Sequence, residues 1–205
     1  MLLEFSQSGD CRDAIRTLAV REAPTVVRLR RRLAVGPREV CVTVREIRRY
    51  GDPVLLTAAS EISEFGSATH ALARDLLDTV RAPGRAGVAA PQIGVALRAF
   101  AYNVHERSGV LLNPVLVATE GEQYGDEGCL SVPELWFPTR RSWYAAAEGF
   151  DQDGNHIRVE GEELMARCLE HEVDHLDGIV YLRRLDPETR RAAMRALRAS
   201  DWFQA

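Results

Sequence analysis

Hydrophobic residues recur at helical spacing over "SATHALARDLLDTV", where Leu72, Leu76, Leu77 and Val80 share one face, so a helix is predicted there. A turn at Gly51, Asp52 and Pro53 in "YGDPVLLTAA" precedes it. "APGRAGVAAPQIG" then packs Gly84, Gly87, Gly94 and two prolines into a short span. That is too broken for a helix and suits a loop with an extended part whose backbone comes close to another group. From Val95 to Glu120 the pattern shortens to strands, "LRAFAYNV" and "VLLNPVLVATE", about a Ser108-Gly109 turn. "SWYAAAEGFD" and "NHIRVEGE" read as a hairpin around Asp153-Gly154. Helical spacing returns in "GEELMARCLEHEVDHLDG" and stops at Gly178, a C-cap signal. A last helix is expected from about Pro187 to Trp202, with Asp186 as N-cap and Pro187 in its first turn.

With 205 residues and 46% hydrophobic composition, the chain can bury a core and is expected to form one domain with an appendage. A net charge of −4 gives no global basic field for nucleic acid, and DNA is not expected as a partner, although all 26 basic residues are arginines that can cluster locally. Cys11, Cys41, Cys129 and Cys168 are widely spaced with no Cys-x-x-Cys pair, which indicates neither a disulfide framework nor a zinc ribbon and fits a reducing, cytoplasmic setting. No run approaches the roughly 18 to 20 apolar residues of a membrane span. In residues 1–40, Glu4 and Asp10 argue against an export signal. Asp13, Glu22 and Glu39 argue against a transit peptide despite the cluster Arg28, Arg30, Arg31 and Arg32. That stretch is expected to be an N-terminal extension, followed by the main domain over 41–185 and a C-terminal helix of the same domain over 186–205.

The chemistry concentrates in "HEVDH". On a helix His171 and His175 lie one turn apart on a shared face and can reach one metal ion, while Glu172 can reach a water at that ion without being a ligand. A charged, solvated helix face carrying Glu170, Glu172, Asp174 and Asp177 would read the same way. A catalytic metal also needs a third protein ligand and an open position. Cys129 in "EGCLS" can supply a thiolate from a loop or strand; Cys168 precedes His171 by three residues, but a small residue within "LMARCL" more commonly packs in a helix core.

Three segments in order, "GVAAPQIG" (87–94), "EGCLS" (127–131) and "HEVDH" (171–175), with "GDPVL" ahead of them, resemble the signature motifs of the peptide deformylases over about residues 42–185. The resemblance implies an α+β, peptide deformylase-like fold, with mixed and antiparallel strands around a central metal-binding helix and a C-terminal helix. It implies a metallohydrolase that removes the N-terminal formyl group from formyl-methionyl nascent polypeptides and releases formate, a step of protein biosynthesis. Cys129, His171 and His175 would hold Fe2+, for which Zn2+, Ni2+ or Co2+ can substitute. Glu172 would be the general acid/base, with the Gln92 side-chain amide and the Leu130 backbone N–H as oxyanion donors. Gly87 and Val88 would bind the substrate backbone, Asp174 is a candidate partner for Arg141, and Trp136, Phe137 and Leu164 are candidates for the methionine pocket. One departure stands out. The family's first motif commonly begins Gly-x-Gly, whereas Arg85 and Ala86 precede Gly87 here, with Gly84 one place out of register.

Two other readings make different demands. A zincin-like metallopeptidase would use His171, His175 and a downstream acid, leaving "EGCLS" and "GVAAPQIG" without a role. A catalytically silent, ribosome-associated module would have no chemical reason to keep Glu172. The C-terminal segment places Arg190, Arg191, Arg195 and Arg198 within nine residues, with Ala192, Met194 and Leu197 expected on the packed side. By the same resemblance this basic helix is a candidate ribosome contact.

Overall fold

The computed structural model describes residues 44–204; the expectation for residues 1–40 lies outside them. The helix predicted from Leu72, Leu76 and Val80 is α1, Ser67–Val80. Strands β1 (Gly87–Ala89), β2 (Ala99–Val104), β3 (Arg107–Glu120), β6 (Tyr144–Phe150) and β7 (His156–Glu162) form an antiparallel sheet in the order β1-β2-β3-β6-β7. β4 (Gln123–Cys129) and β5 (Val132–Arg141) make a separate two-stranded ribbon. Helix α2 spans Leu164–Leu176, α3 Pro187–Ala199 and α4 Asp201–Gln204.

The period of two in the strands sorts side chains between two helices. Ala89, Phe100 and Leu111 join α2 residues Leu169, Val173 and Leu176 in one cluster. Their neighbours Val88, Ala99, Ala101, Val110 and Leu112 join α1 residues Leu72, Leu76 and Val80 in another. The sheet thus lies between α1 and α2, and α2 is covered on nearly all sides: ten of its thirteen residues are buried, the charged Glu172 and Asp174 among them. A third cluster ties Leu55 and Val132 to Tyr181, Leu182 and the α3 residues Ala193 and Leu197.

α2 begins later than its pattern suggests, because Gly161 and Glu162 belong to β7. Its end is the expected one. Gly178, at φ +71, lets the Ile179 N–H reach Asp174 O at 2.8 Å and the Gly178 N–H reach His175 O at 3.2 Å, the paired bonds of a Schellman cap. The β2–β3 turn falls on His105 and Glu106, between the partners Val104 and Arg107, and not on Ser108-Gly109. Gly109 lies inside β3, where a Cβ would come within 2.5 Å of the Tyr102 hydroxyl. The last helix is broken at Ser200, whose ψ of 136° is extended, so α4 starts anew. Asp186 caps α3 as predicted, accepting from the Glu188 and Thr189 N–H groups. The buried alanine of α3 is Ala193; Ala192 is only half-buried.

Candidate active site

Helical geometry brings His171 and His175 side by side on α2, with ring centroids 4.9 Å apart. Cys129 ends β4, which places its sulfur against them. Cys129 Sγ lies 3.2 Å from His175 Nε2, and one donor atom from each of the three residues lies within 4.8 Å of the others. Cys168, which lies on α2, packs in the core and donates its thiol to Ala86 O at 3.3 Å.

Each donor is prepared by its neighbours. Burial would push the Cys129 thiol up, but His175 and His171 beside it outweigh burial and bring it down to about 5, so the sulfur is a thiolate at neutral pH. His171 Nδ1 sits 2.7 Å from Glu127 Oε1, which fixes the proton on Nδ1 and leaves Nε2 as the free donor atom. Tyr181 stacks on the His171 ring at 6.3 Å and is itself tied by its hydroxyl to Leu135 O. A soft thiolate with two imidazoles fits a divalent transition metal such as iron or zinc and not the oxygen-seeking Mg2+ or Ca2+.

Glu172 completes the group. Its carboxylate is 3% exposed and Oε2 has no hydrogen-bond partner, in the cavity of about 390 Å³ that Cys129, His171 and Gln92 also line. Burial raises its pKa to about 7, against the lowering by His171 and His175. Such a carboxyl group can both take and return a proton near neutral pH. Gln92 is 1% exposed, with Oε1 accepting from the Ala89 N–H at 2.8 Å. Its Nε2 points to Ser131 Oγ at 3.3 Å and Cys129 Sγ at 3.5 Å. Residues 48–50 bridge the two sides of that contact: the Arg48 N–H donates to Gln92 O and the Tyr50 N–H to Ser131 O, both at 2.7 Å.

Behind the donors lies a charge network that hydrophobic patterning does not reveal. Glu127 accepts from Arg141 Nε at 3.0 Å and Nη2 at 2.7 Å, and from Arg167 Nη1 at 2.8 Å, in addition to His171. Burial alone would raise its pKa; His171 and Arg141 hold it well below the usual carboxylate range. Arg141 also donates to Asp174 Oδ2 at 2.8 Å, the pairing suggested from sequence, and Arg184 closes on the same carboxylate. A signal for Glu127 is available, since it opens the "EGCLS" segment; nothing in the sequence points to Arg167, Arg184 or Tyr181.

Gly87, Leu130, Trp136 and Leu164 line the same cavity. Val88 is fully buried on β1, an outer strand of the sheet, and Phe137, half-buried against the third cluster, is not among the residues that line this cavity. Gly84, at φ +79, makes the turn one place ahead of the usual glycine, and Arg85 anchors the loop by donating to Thr79 O at 2.8 Å.

A sequence model described as Polypeptide deformylase matches residues 44–191. The chain belongs to that family. A peptide deformylase of Acidothermus cellulolyticus is 49% identical over 162 residues, covering 78% of this chain and 89% of that protein. One from Corynebacterium glutamicum is 43% identical, covering 79% and 99%. The solved deformylase of Thermus thermophilus superposes with a TM-score of 0.72 at 41% identity, covering 76% of this chain and 94% of that one. As a deformylase the chain is a hydrolase of the formyl amide at a polypeptide's N-terminus, on the α+β fold its motifs implied. Among the described residues no helix is long and apolar enough to cross a membrane.

Proposed function

We propose that Cys129, His171 and His175 hold a ferrous ion and that Glu172 moves the protons in hydrolysis of N-formyl-methionyl peptides. The observation that carries this reading is the unpartnered Glu172 carboxylate in the same cavity as three convergent metal donors. A divalent ion held there supplies Lewis acidity and a readily deprotonated water. Gly87 and Val88 receive the substrate as a strand added beside β1. Glu172 accepts a proton from the attacking water, while Gln92 Nε2 and the Leu130 N–H donate to the formyl oxygen as it gains negative charge. Glu172 then returns the proton to the departing amine, and formate and the free N-terminus separate. Because Cys129 fills the third donor place, no downstream acid is needed, which disfavours the zincin reading. A proton-shuttling carboxyl group in the cavity disfavours a silent binding module.

Iron rests on the soft, oxidisable thiolate and on the family; Zn2+, Ni2+ and Co2+ are substitutes. The ribosome is the proposed macromolecular partner, through the exposed Arg190, Arg191, Arg195 and Arg198 of α3, and the cytoplasm the proposed location, where nascent chains are made. Formate release from formyl-Met-Ala-Ser, measured anaerobically on iron- and zinc-loaded protein, tests the reading. Activity in both, higher with iron and decaying in air, is expected; no formate from either refutes the function, and equal activity refutes iron.

A further inference from the structure

Arg167 is a charged side chain in the wall of the substrate cavity. It precedes His171 by four residues, so the two share a face of α2 about 6 Å apart along its axis. Its side chain is 12% exposed and lines the cavity with Ala86, Leu164 and Trp136. Both hydrogens of Nη1 have acceptors, Glu127 Oε2 at 2.8 Å and Thr139 O at 3.3 Å, and Nη2 reaches Gln123 Oε1 at 3.4 Å. Nε and the second hydrogen of Nη2 have no acceptor among the described residues. The guanidinium is therefore held in place by one edge and keeps donors unused beside the apolar lining that Ala86, Leu164 and Trp136 contribute, in a cavity that Arg85, Asp126 and Glu134 also line.

A methionine side chain entering beside His171 and running along α2 makes little use of those donors, since a thioether sulfur is a weak acceptor. Its oxidised form differs in one respect that matters here: the sulfoxide oxygen is a strong acceptor. An apolar pocket excludes such a group because it is desolvated without a partner, whereas a fixed guanidinium offers a charge-assisted bond. We infer that this enzyme deformylates N-formyl-methionine sulfoxide as well as N-formyl-methionine, with Arg167 as the specificity-determining donor to the sulfoxide oxygen. The reaction is unchanged: water adds across the formyl C–N bond, formate leaves, and the amine of methionine sulfoxide is freed. Sulfur keeps its oxidation state, so no reductant is consumed. The inference rests on the cavity being the formyl-methionine site.

The test compares kcat/KM for the Ala-Ser tripeptides of formyl-methionine sulfoxide, each epimer separately, with that for formyl-norleucine, an apolar isostere of methionine. The metal-loaded full chain and its Arg167→Met and Arg167→Lys variants are used. Taking the ratio within each protein removes any general effect of the change on His171 through Glu127. For at least one epimer the ratio should fall about tenfold in Arg167→Met, the scale of leaving a buried polar group unpaired, and recover in part in Arg167→Lys. A fall of less than threefold in Arg167→Met overturns the inference. Binding gives a second readout: the Arg167 Nε–H resonance, assigned by its absence from the Arg167→Met spectrum, should shift with the product Met(O)-Ala-Ser and not with norleucyl-Ala-Ser. Identical responses to the two peptides also overturn the inference. Failure to hydrolyse formyl-norleucine and formyl-methionine peptides alike would instead refute the proposed function, so the two failures are distinguishable.

Discussion

A Cβ placed on Gly87 would lie 2.2 Å from Glu172 Oε1, so the carboxylate occupies the space that the absent side chain leaves. Gly87 therefore makes room for the proposed acid/base group. Gly87→Ala should lower kcat/KM by about a hundredfold, the scale on which displacing a reacting group by an ångström acts. Metal content, read by elemental analysis, should be unchanged; if activity stays within threefold of wild type, the carboxylate does not need that space.

Glu172 lies beside His171 in sequence but outside the convergent donor set. Glu172→Ala should keep its metal and lose at least about a hundredfold in rate, as when a general acid/base is removed. Near-normal turnover in a fully metallated variant would refute the role.

Glu127 joins the buried Arg141 to His171, and the Arg141 and Glu127 side chains are each 3% exposed. Glu127→Ala leaves Arg141 with Asp174 alone and removes the acceptor that orients His171. A loss of roughly 3–5 kcal/mol is expected from the broken buried pair, together with about a 10- to 100-fold loss of metal affinity from the freed imidazole. Denaturant unfolding and competition with a chelator measure the two separately; normal values in both would show the network to be dispensable.

This network marks the boundary of what hydrophobic patterning can show. The period of 3.6 in Leu72, Leu76 and Val80 locates α1, and the spacing of His171 and His175 places both rings side by side on α2, because both signals are local. The pattern does not predict β4 and β5. Their inward positions include Glu127 and Arg141, charges that are satisfied only by each other across the ribbon and by partners on α2, and so look like solvent-facing residues in the sequence. The β2–β3 turn departs from its predicted place for a related reason: Gly109 reads as a turn signal, but the Tyr102 ring across the strand pair requires it. Phe137 has the right composition for a substrate pocket, and only the ribbon's position packs it half-buried against the third cluster instead.

His70 offers both ring nitrogens to acceptors, Nδ1 to Gly66 O at 2.8 Å and Nε2 to Asp153 Oδ1 at 2.9 Å. The Gly66 carbonyl, with Asp153 second, raises its pKa above 6.5. Because the folded value is raised, the stabilisation is fully present below pH 6.5 and is lost as pH climbs through the folded value. An NMR titration should place the midpoint above 6.5, and Asp153→Asn should lower it while the Gly66 contact persists. A midpoint unmoved by Asp153→Asn would show that the pair contributes nothing.

α3 buries Ala193 and Leu197, and Arg190, Arg191, Arg195 and Arg198 line an exposed hollow beside Leu185 and Met194. That separation gives the helix two tasks: one face completes the fold, and the other concentrates positive charge on a chain whose net charge is −4. If the charged face contacts ribosomal RNA phosphates, binding should fall steeply with salt, by roughly one log unit in affinity per log unit of salt for each phosphate contact. Hydrolysis of a free formyl peptide should be untouched, since none of the four arginines lines the catalytic cavity. Changing all four to glutamine should therefore abolish the salt-sensitive part of ribosome co-sedimentation and leave formate release from formyl-Met-Ala-Ser unchanged. Equal co-sedimentation of the variant and wild type across the salt series would rule out docking through α3 and return these arginines to the role of a solvated helix face.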